Sequence, residues 1–552
     1  MYPSSTRDTA PGSSLLWTPL LVIGAAAFAV EIPFFFLGTP SGHDVEFHLY
    51  SWLEVLAQWH QGIVFPRWAS LAHFACGEPR FLFYPPASWS LGALLSAILP
   101  WTLAASVYIW IVLVAAGVSM YMLMRRWVGR RDAIFAAALY AVNPYHLVIV
   151  YWRSAFAELL ASCLIPLLLL LVLKAADGER RVVIPLALVL AAAWLTNAPA
   201  AVMVHYSLAL LIVMFAWQSR SPRVLLVGAG AIALSASLAA FYLIPAIYEQ
   251  KWVNIAEAVS AGSRPVDNFL FTHTTDADHD AFNRVISWVA VLEIVATLAA
   301  AWAARSRREL KRALWNTLLG WAVACSVVMF SVTALAWKLL PKLAFMQFPW
   351  RWLLCLSMIF TILVTVGVRR WWLRIALCAV AVMVIATAWH RILPPWWDQA
   401  ADLREMQDNM ADGTGYEGTD EYTPVGAEPT AIVQDTRKVR VEGEARAAIH
   451  VYQWNAESKM FTAEMSASDH LALRLFRYPA WRVEVNGRVV ETAAREETGQ
   501  MLVPVGAGMN RVQITFVRTS DRALGGWISM VTVLGVLLWE LMGRKRSIPA
   551  AV

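Results

Sequence analysis

Long apolar runs broken by short arginine-rich loops recur from residue 15 to residue 542, and no other feature limits the fold so strongly. A run of ~20 apolar residues crosses a bilayer as a helix, because lipid offers a peptide group no hydrogen-bond partner outside its own segment. The loops add a direction, since lysine and arginine collect in those that stay in the cytoplasm. Basic clusters stand at Arg125, Arg126, Arg130 and Arg131, at Lys174, Arg180 and Arg181, at Arg220 and Arg223, from Arg305 to Arg312, at Arg369, Arg370 and Arg374, and from Arg544 to Arg546. One threading keeps them all on one side. It predicts about twelve spanning helices, near 15–37, 103–124, 132–150, 159–174, 182–196, 200–217, 224–247, 286–304, 313–335, 350–368, 374–392 and 523–542, with both termini inside.

A chain that is 59% hydrophobic and 15% charged is too apolar for one soluble core and reads as a polytopic membrane protein. Its net charge of +6 is then explained by the inner loops, and it speaks against a nucleic-acid partner. Five cysteines make no disulfide framework and no metal-type pair. Four of them, Cys163, Cys325, Cys355 and Cys378, fall inside apolar runs and behave as small hydrophobes. The run Leu15 to Leu37 is too long for a signal-peptide core and is expected to remain as a helix.

The same threading requires that Pro86 to Leu99 does not cross, because a crossing there would turn "RRWVGRR" outward. Its length suits a re-entrant or interfacial helix. The first outer loop therefore runs from about residue 38 to 102, and its Trp, His and paired prolines argue for a functional loop over a disordered one. These features define a membrane domain over 1–392 and an outer segment over 393–522. A last helix with a basic inner tail follows over 523–552. Within the outer segment the hydrophobic period becomes two: Val512, Ile514 and Phe516 alternate with polar residues, and Asn486-Gly487 sits between two alternating runs as a hairpin signal. A small antiparallel β-sandwich is expected over about 430–522.

Ionisable residues gathered at membrane boundaries are the candidates for chemistry. In "GHDVEFHLY" Asp44 and His48 share a face if the segment is helical. Asp44 could then take a proton from a hydroxyl or hold a divalent ion, with His48 orienting it or joining as ligand, unless both merely face water. The same loop continues with Arg67, His73, Glu78, Arg80 and Tyr84. Arg67 or Arg80 could grip a phosphate, or could pair with Glu78 as structural glue. In "NPYHLVIVYWRSAFAELL" Glu158 stands where a helix N-terminus would favour it, while Arg153 has no such structural excuse and fits an anion site. "KLLPKLAFMQFPWRWLL" places Lys342, Gln347 and Arg351 where a guanidinium and a helix start could face a phosphate, or where Arg and Trp anchor the helix at headgroup level. "THTTDADHD" reads as a solvated acidic loop, and His146, His205 and His390 as hydrogen-bonded structural residues.

Taken in order, "GHDVEFHLY", "FPRW", "GEPRFLFYPP", "NPYHLVIVYWRSAFAE", "MQFPWRW", "DEYTPVG" and "FRYPAWRVEVNG" resemble the bacterial membrane proteins labelled 6-pyruvoyl-tetrahydropterin synthase-related, close to the YfhO-like group. The label's enzymatic part is a misnomer here, since this membrane body offers no soluble zinc-histidine site. More remotely the layout is similar to the GT-C glycosyltransferases, among them oligosaccharyltransferase and the lipid-linked aminoarabinose transferases. That resemblance implies a multi-pass protein of the bacterial inner membrane that moves a sugar from a polyprenyl-phosphate carrier to a glycan, polymer or protein acceptor outside. It implies Asp44, His48 and Glu158 as the catalytic group, and Arg67, Arg80, Tyr84, Arg153, Gln347 and Arg351 as the substrate-binding group. A divalent metal ion is the cofactor left open, with Asp44, His48 and Glu158 as its candidate ligands, although the paired acids of oligosaccharyltransferase are missing around Glu158. A flippase of lipid-linked sugars and a non-catalytic assembly protein are the rival readings.

Overall fold

The computed structural model describes residues 14–179, 181–307, 309–392, 396–432 and 437–545. Arg180 and Arg308, together with the side chains of His390 and of Arg544 to Arg546, lie outside the described residues. Among those described, eight helical segments are long and apolar enough to cross a membrane: Trp17–Leu37, Trp101–Met124, Arg130–Arg153, Phe156–Ala176, Ala198–Ser219, Ala277–Ala304, Pro349–Gly367 and Ser520–Met542. Two more of the expected runs are helix pairs broken near the middle. Arg223–Leu238 and Ala240–Trp252 meet at 74°, and Arg312–Val328 and Ser331–Leu339 at 91°. Counting each pair as one span gives ten. The last two expected spans are the 14-residue apolar helix Val183–Thr196 and the helix Trp371–Ile392. An even apolar pattern marks a run as membrane-embedded but does not record where the helix bends or stops short.

Burial ranks the spans. Pro349–Gly367 has 94% of its apolar window inside the protein and is the central post, whereas Ser520–Met542 has 11% and lies at the periphery. The run expected not to cross is the 13-residue helix Pro86–Ile98, opened by Pro85-Pro86 and packed against the 16-residue helix Val45–His60. Proline at a helix start costs nothing, since the missing N–H would be unpaired there in any case.

The late alternating segment forms two antiparallel sheets. One orders its strands as Val439–Val441, Asp469–Phe476, Gln500–Val505 and Ala493–Ala494. The other orders them as Ala447–Trp454, Ser458–Met465, Gly508–Phe516, Trp481–Val485 and Arg488–Val489. Phe461, Leu473, Val503 and Ile514 from both sheets share one buried cluster. The hairpin signal is realised: Val485 pairs with Arg488 across Asn486 (φ 51°) and Gly487 (φ 76°), the two left-handed residues a tight two-residue hairpin needs.

An aromatic cluster and a buried ion pair are among the contacts that hold the sheets to the membrane body. Trp68 of the first loop packs its ring against Tyr478, Trp481 and Phe516 at 5.5–5.7 Å between centroids. Beneath them Arg522, at the start of the last helix, donates two hydrogen bonds of 2.7 Å to the carboxylate of Glu249, which also accepts one of 2.6 Å from Tyr478.

Candidate functional site

The first loop is stapled to the turn that follows the third span. His43 and Asp44 donate their backbone N–H groups to the carbonyls of Trp152 (3.2 Å) and Arg153 (2.8 Å), and Gly42 donates to Ser154 Oγ at 3.0 Å. The approach is so close that a Cβ on Gly42 would stand 2.5 Å from the Trp152 carbonyl oxygen. The other partner is equally irregular. Residues Ile149–Arg153 form a π-helical turn, and Ser154 after it is left-handed at φ 48°. Such wide turns and positive-φ residues concentrate at functional sites, because a regular helix cannot aim a side chain in these directions.

The staple delivers Asp44 and Arg153 to one place. Arg153 donates to Asp44 Oδ2 at 3.2 Å and to Glu158 Oε2 at 2.6 Å. Arg351 donates to the same Glu158 oxygen at 3.1 Å, while its other nitrogen donates to the Met346 carbonyl and to Gln347 Oε1. Tyr145 donates to Glu158 Oε1 at 2.5 Å. Glu158 is thus 1% exposed with both oxygens engaged, whereas Asp44, 28% exposed, meets open space. The Phe348 ring carries both guanidinium groups, at 5.2 Å for Arg153 and 4.6 Å for Arg351. Burial pushes the Asp44 carboxyl up, but Arg153 and the His43 ring outweigh it and hold the group well below the usual carboxylate range. The carboxylate in turn raises the His43 imidazole, whose Nδ1 lies 2.7 Å from Asp44 Oδ1.

This chain of charges lines one end of a cavity of about 1070 Å³. Tyr84, Arg80 and Gln347 line it too, as do Glu417 and Glu421 from the segment after the eleventh expected span. Its other wall is apolar and comes from within the membrane body: Val202, Ile232, Ala236, Leu243, Ala246 and Ile247, carried by Ala198–Ser219 and the bent pair. Ile232 and Ile247 of this wall are exposed side chains.

Three expected site residues are placed differently. His48 makes no side-chain hydrogen bond to Asp44. Asp44 occupies the cap position, with φ −100°, and its carbonyl accepts the His48 N–H at 3.2 Å, while the buried His48 ring stacks on Phe156 at 5.1 Å. Burial lowers its pKa to about 4 and keeps the ring neutral. Arg67 is outside the cavity, its guanidinium 4.0 Å over the Phe65 ring, near Arg522, Glu249 and Glu457 at the foot of the β-sheets. Arg80 reaches the cavity wall, but its guanidinium is engaged as glue: it donates to Glu78 at 2.5 Å, to Ser51 Oγ at 3.0 Å, to the Phe47 carbonyl and to Thr419 Oγ1 at 3.2 Å. Of "THTTDADHD", Asp276 caps the helix Ala277–Ala304, accepting from the His279 N–H.

The metal ligand set of Asp44, His48 and Glu158 is not assembled. Glu158 would have to give up two guanidinium groups and a phenol to ligate a cation, and the His48 ring is stacked on Phe156. No group of three His, Cys, Asp or Glu side chains with metal-binding geometry occurs among the described residues. Cationic charge at this place is supplied by arginine.

Tyr145 and His43 join the site from inside the motifs "NPYHL" and "GHD", and Glu421 lines the cavity from inside "DEYTPVG". Tyr145 follows Asn143-Pro144, whose capping hydrogen bond to the His146 N–H sets the short helix Pro144–Val148.

Residues 81–396 match the membrane protein family described as 6-pyruvoyl-tetrahydropterin synthase related domain. No curated protein matches the chain in sequence. Solved structures similar to it include an arabinofuranosyltransferase and an oligosaccharyltransferase. The mycobacterial arabinofuranosyltransferase AftD is 17% identical with a TM-score of 0.42, over 69% of this chain and 28% of that one. The apo oligosaccharyltransferase of Archaeoglobus fulgidus is 14% identical with a TM-score of 0.38, over 73% of this chain and 57% of that one. The chain therefore spans well under two thirds of the length of either.

Proposed function

The chain belongs to the 6-pyruvoyl-tetrahydropterin synthase related family of membrane proteins, and we propose that it is an integral membrane glycosyltransferase. Its donor in this reading is a sugar on a polyprenyl-phosphate carrier, and its acceptor a glycan, polymer or protein on the outer face. One observation carries the reading. A single cavity joins two guanidinium groups, Arg153 and Arg351, to apolar side chains of Ala198–Ser219 and the bent pair, among them Val202, Ile232 and Leu243. A ligand that satisfies both ends is an anionic headgroup on a long hydrocarbon tail.

The chemistry follows from the geometry. The lipid phosphate is the leaving group, and negative charge builds on it as its bond to the sugar breaks. Arg153 and Arg351, pre-oriented by Glu158, Gln347 and the Phe348 ring, meet that charge without reorganising. Removal of one such donor costs about 10²–10³-fold in rate. Asp44 is the catalytic carboxylate, held ionised beside the phosphate site. Its fixed negative charge favours the positive charge that develops on the sugar ring. Tyr84 offers a half-buried phenol and ring on the same wall.

The proposal keeps the division into a membrane domain over 1–392, an outer segment over 393–522 and a last helix over 523–552. It places both termini in the cytoplasm of a bacterium, with the cavity on the opposite side of the inner membrane. The test uses protein in lipid nanodiscs, wild type beside Asp44→Asn and Arg351→Gln. It measures undecaprenyl phosphate binding and then transfer from a panel of polyprenyl-phosphate sugars to envelope acceptors. Arg351→Gln is expected to weaken binding, and Asp44→Asn to bind normally and lose transfer. Binding without transfer in all three proteins, with lipid carried across the bilayer of a proteoliposome, would make the chain a flippase.

A further inference from the structure

The proposed transfer needs a place for the acceptor proton, and the carboxylates at the guanidinium end are poorly suited to receive it. Both oxygens of Glu158 accept hydrogen bonds, and those of Asp44 face His43 and Arg153. The remaining acids that line the cavity divide by exposure. Glu46, Glu257, Glu417 and Asp420 are exposed, whereas Glu421 is half-buried and makes no ion pair among the described residues.

Much of the first loop serves to hold the segment that carries Glu421. Tyr416 donates its N–H to the Leu71 carbonyl, and Phe74 donates back to the Tyr416 carbonyl. The Thr419 N–H donates to Glu78 Oε2 at 2.8 Å, and Arg80, itself paired with Glu78, donates to Thr419 Oγ1. His73 lies 2.9 Å from Glu78 Oε2 and 3.3 Å from Thr423 Oγ1. Reaching this position requires three consecutive left-handed residues, His73, Phe74 and Ala75. It also requires a glycine at 418, where a Cβ would stand 2.2 Å from the His73 ring. From the other side Asn254 donates to the Thr423 carbonyl and Val425 to that of Trp252. Strain and buried charge on this scale are kept where they over-determine the position of a segment.

We propose that Glu421 is a second catalytic carboxylate and takes the proton of the acceptor hydroxyl. The inference rests on the glycosyltransferase reading of the same cavity. In the step, the acceptor oxygen forms a bond to the anomeric carbon of the sugar. The bond from that carbon to the phosphate oxygen breaks, and its electron pair leaves with the lipid phosphate, which Arg153 and Arg351 hold. The hydroxyl proton passes to a Glu421 oxygen. Burial raises the Glu421 carboxyl to about 7, with Glu78 and Asp420 adding to the rise and Arg80 opposing it. Tyr422, whose own proton Glu421 helps to retain, is the remaining titratable neighbour. A base with that affinity is ionised in about half of the molecules at neutral pH and binds a proton far better than Asp44 does.

The test follows Glu421 itself as well as turnover. Wild type, Glu421→Gln, Glu421→Asp and Arg351→Gln are placed in nanodiscs and treated with a water-soluble carbodiimide and an amine, which tag protonated carboxyls. The tag is mapped by mass spectrometry over roughly pH 5 to 9, with and without undecaprenyl phosphate. The expected result is tagging of Glu421 that fades through about pH 7 and is reduced by the lipid phosphate. Transfer from polyprenyl-phosphate sugars should rise with pH through the same midpoint in wild type. Glu421→Gln should lose about 10²- to 10⁴-fold and the pH dependence with it, while binding the lipid phosphate normally, and Glu421→Asp should keep a shifted pH dependence. Three results overturn the proposal: no tagging at any pH, tagging indifferent to a lipid phosphate that binds, or a Glu421→Gln profile that follows wild type. If undecaprenyl phosphate binds neither wild type nor Arg351→Gln, the glycosyltransferase reading fails and this inference falls with it. A failure confined to Glu421 leaves the Arg351-dependent binding intact.

Discussion

Two buried arginine–glutamate networks in this protein use the same groups to different ends. At the foot of the β-sheets Arg522 meets Glu249 with two parallel hydrogen bonds, Tyr478 caps the carboxylate, and all of it is sealed between the bent pair and the last helix. At the cavity Glu158 is also capped by a tyrosine, but it is shared by two arginines that cannot both saturate on it, and one of them extends to a half-open aspartate. A one-to-one pair closes on itself and holds elements together. Two guanidinium groups against one buried carboxylate leave donor capacity facing a cavity, and that surplus is what an anion can use. The difference lies in stoichiometry and access, not in residue type.

The contrast breaks most sharply when each network loses one member. Glu249→Ala strands Arg522 in a buried place and is expected to cost about 3–5 kcal/mol of stability, read by denaturation and by protease release of the β-sheets. It should leave lipid-phosphate binding by the folded fraction unchanged. Arg351→Gln should reverse the pattern, with about 10²–10³-fold less transfer and a smaller loss of stability than Glu249→Ala. If the two variants lose stability equally and transfer equally, the networks do the same work and the distinction is wrong.

Smaller effects sharpen the picture. Gly42→Ala drives a methyl against the Trp152 carbonyl, so the loop must lift and carry Asp44 with it. The expected cost is about 1–3 kcal/mol, with transfer falling more than lipid-phosphate binding. Acid should loosen the first loop before the sheets. His48 is neutral in the fold, with a pKa of about 4 against the ordinary 6.5, so the unfolded chain takes up the extra proton and stability falls as pH drops below 6.5. Burial raises the Glu78 pKa, but Arg80 and His73 bring it down to about 2, so its contribution is present above 4.5 and is lost as pH falls toward 2. Hydrogen exchange across residues 44–80, followed from neutral pH downward, reads both. The smallest expected effect is that of a chelator, since arginine occupies the place a cation would take. Transfer and lipid-phosphate binding should not change on its addition, and loss of both would overturn the arginine assignment.

Much of this was legible in the chain. Hydrophobic length marked the runs that form eight, or with the bent pairs ten, helices apolar enough to cross a membrane, because a bilayer makes the same demand on every segment that enters it. The Pro85-Pro86 start of a helix too short to cross, the Asn486-Gly487 hairpin and the alternation of Val512, Ile514 and Phe516 are local signals with local causes, and each appears in the structure. Asp44, Arg153, Glu158, Gln347 and Arg351, which stand near the ends of apolar runs, line one cavity, and a charge at such a place has few structural uses. The bends of 74° and 91°, by contrast, depend on what packs beside each helix. The burial of His48 depends on the Phe156 and Tyr84 rings that pack against it from other parts of the chain. Whether an arginine is glue, like Arg80, or a free grip depends on which carboxylates arrive from distant parts of the chain. Glu421 acquires its shielding and its altered proton affinity only because residues 71–80 fold back to hold residues 416–423 against the cavity. Sequence by itself determined which segments enter the membrane and which residue types stand at its edge, because those follow from solvation of each segment alone. Tertiary structure decided which charges pair, which face the cavity and which carboxyl can accept a proton, because those depend on partners far apart in the chain and on the water that their meeting excludes.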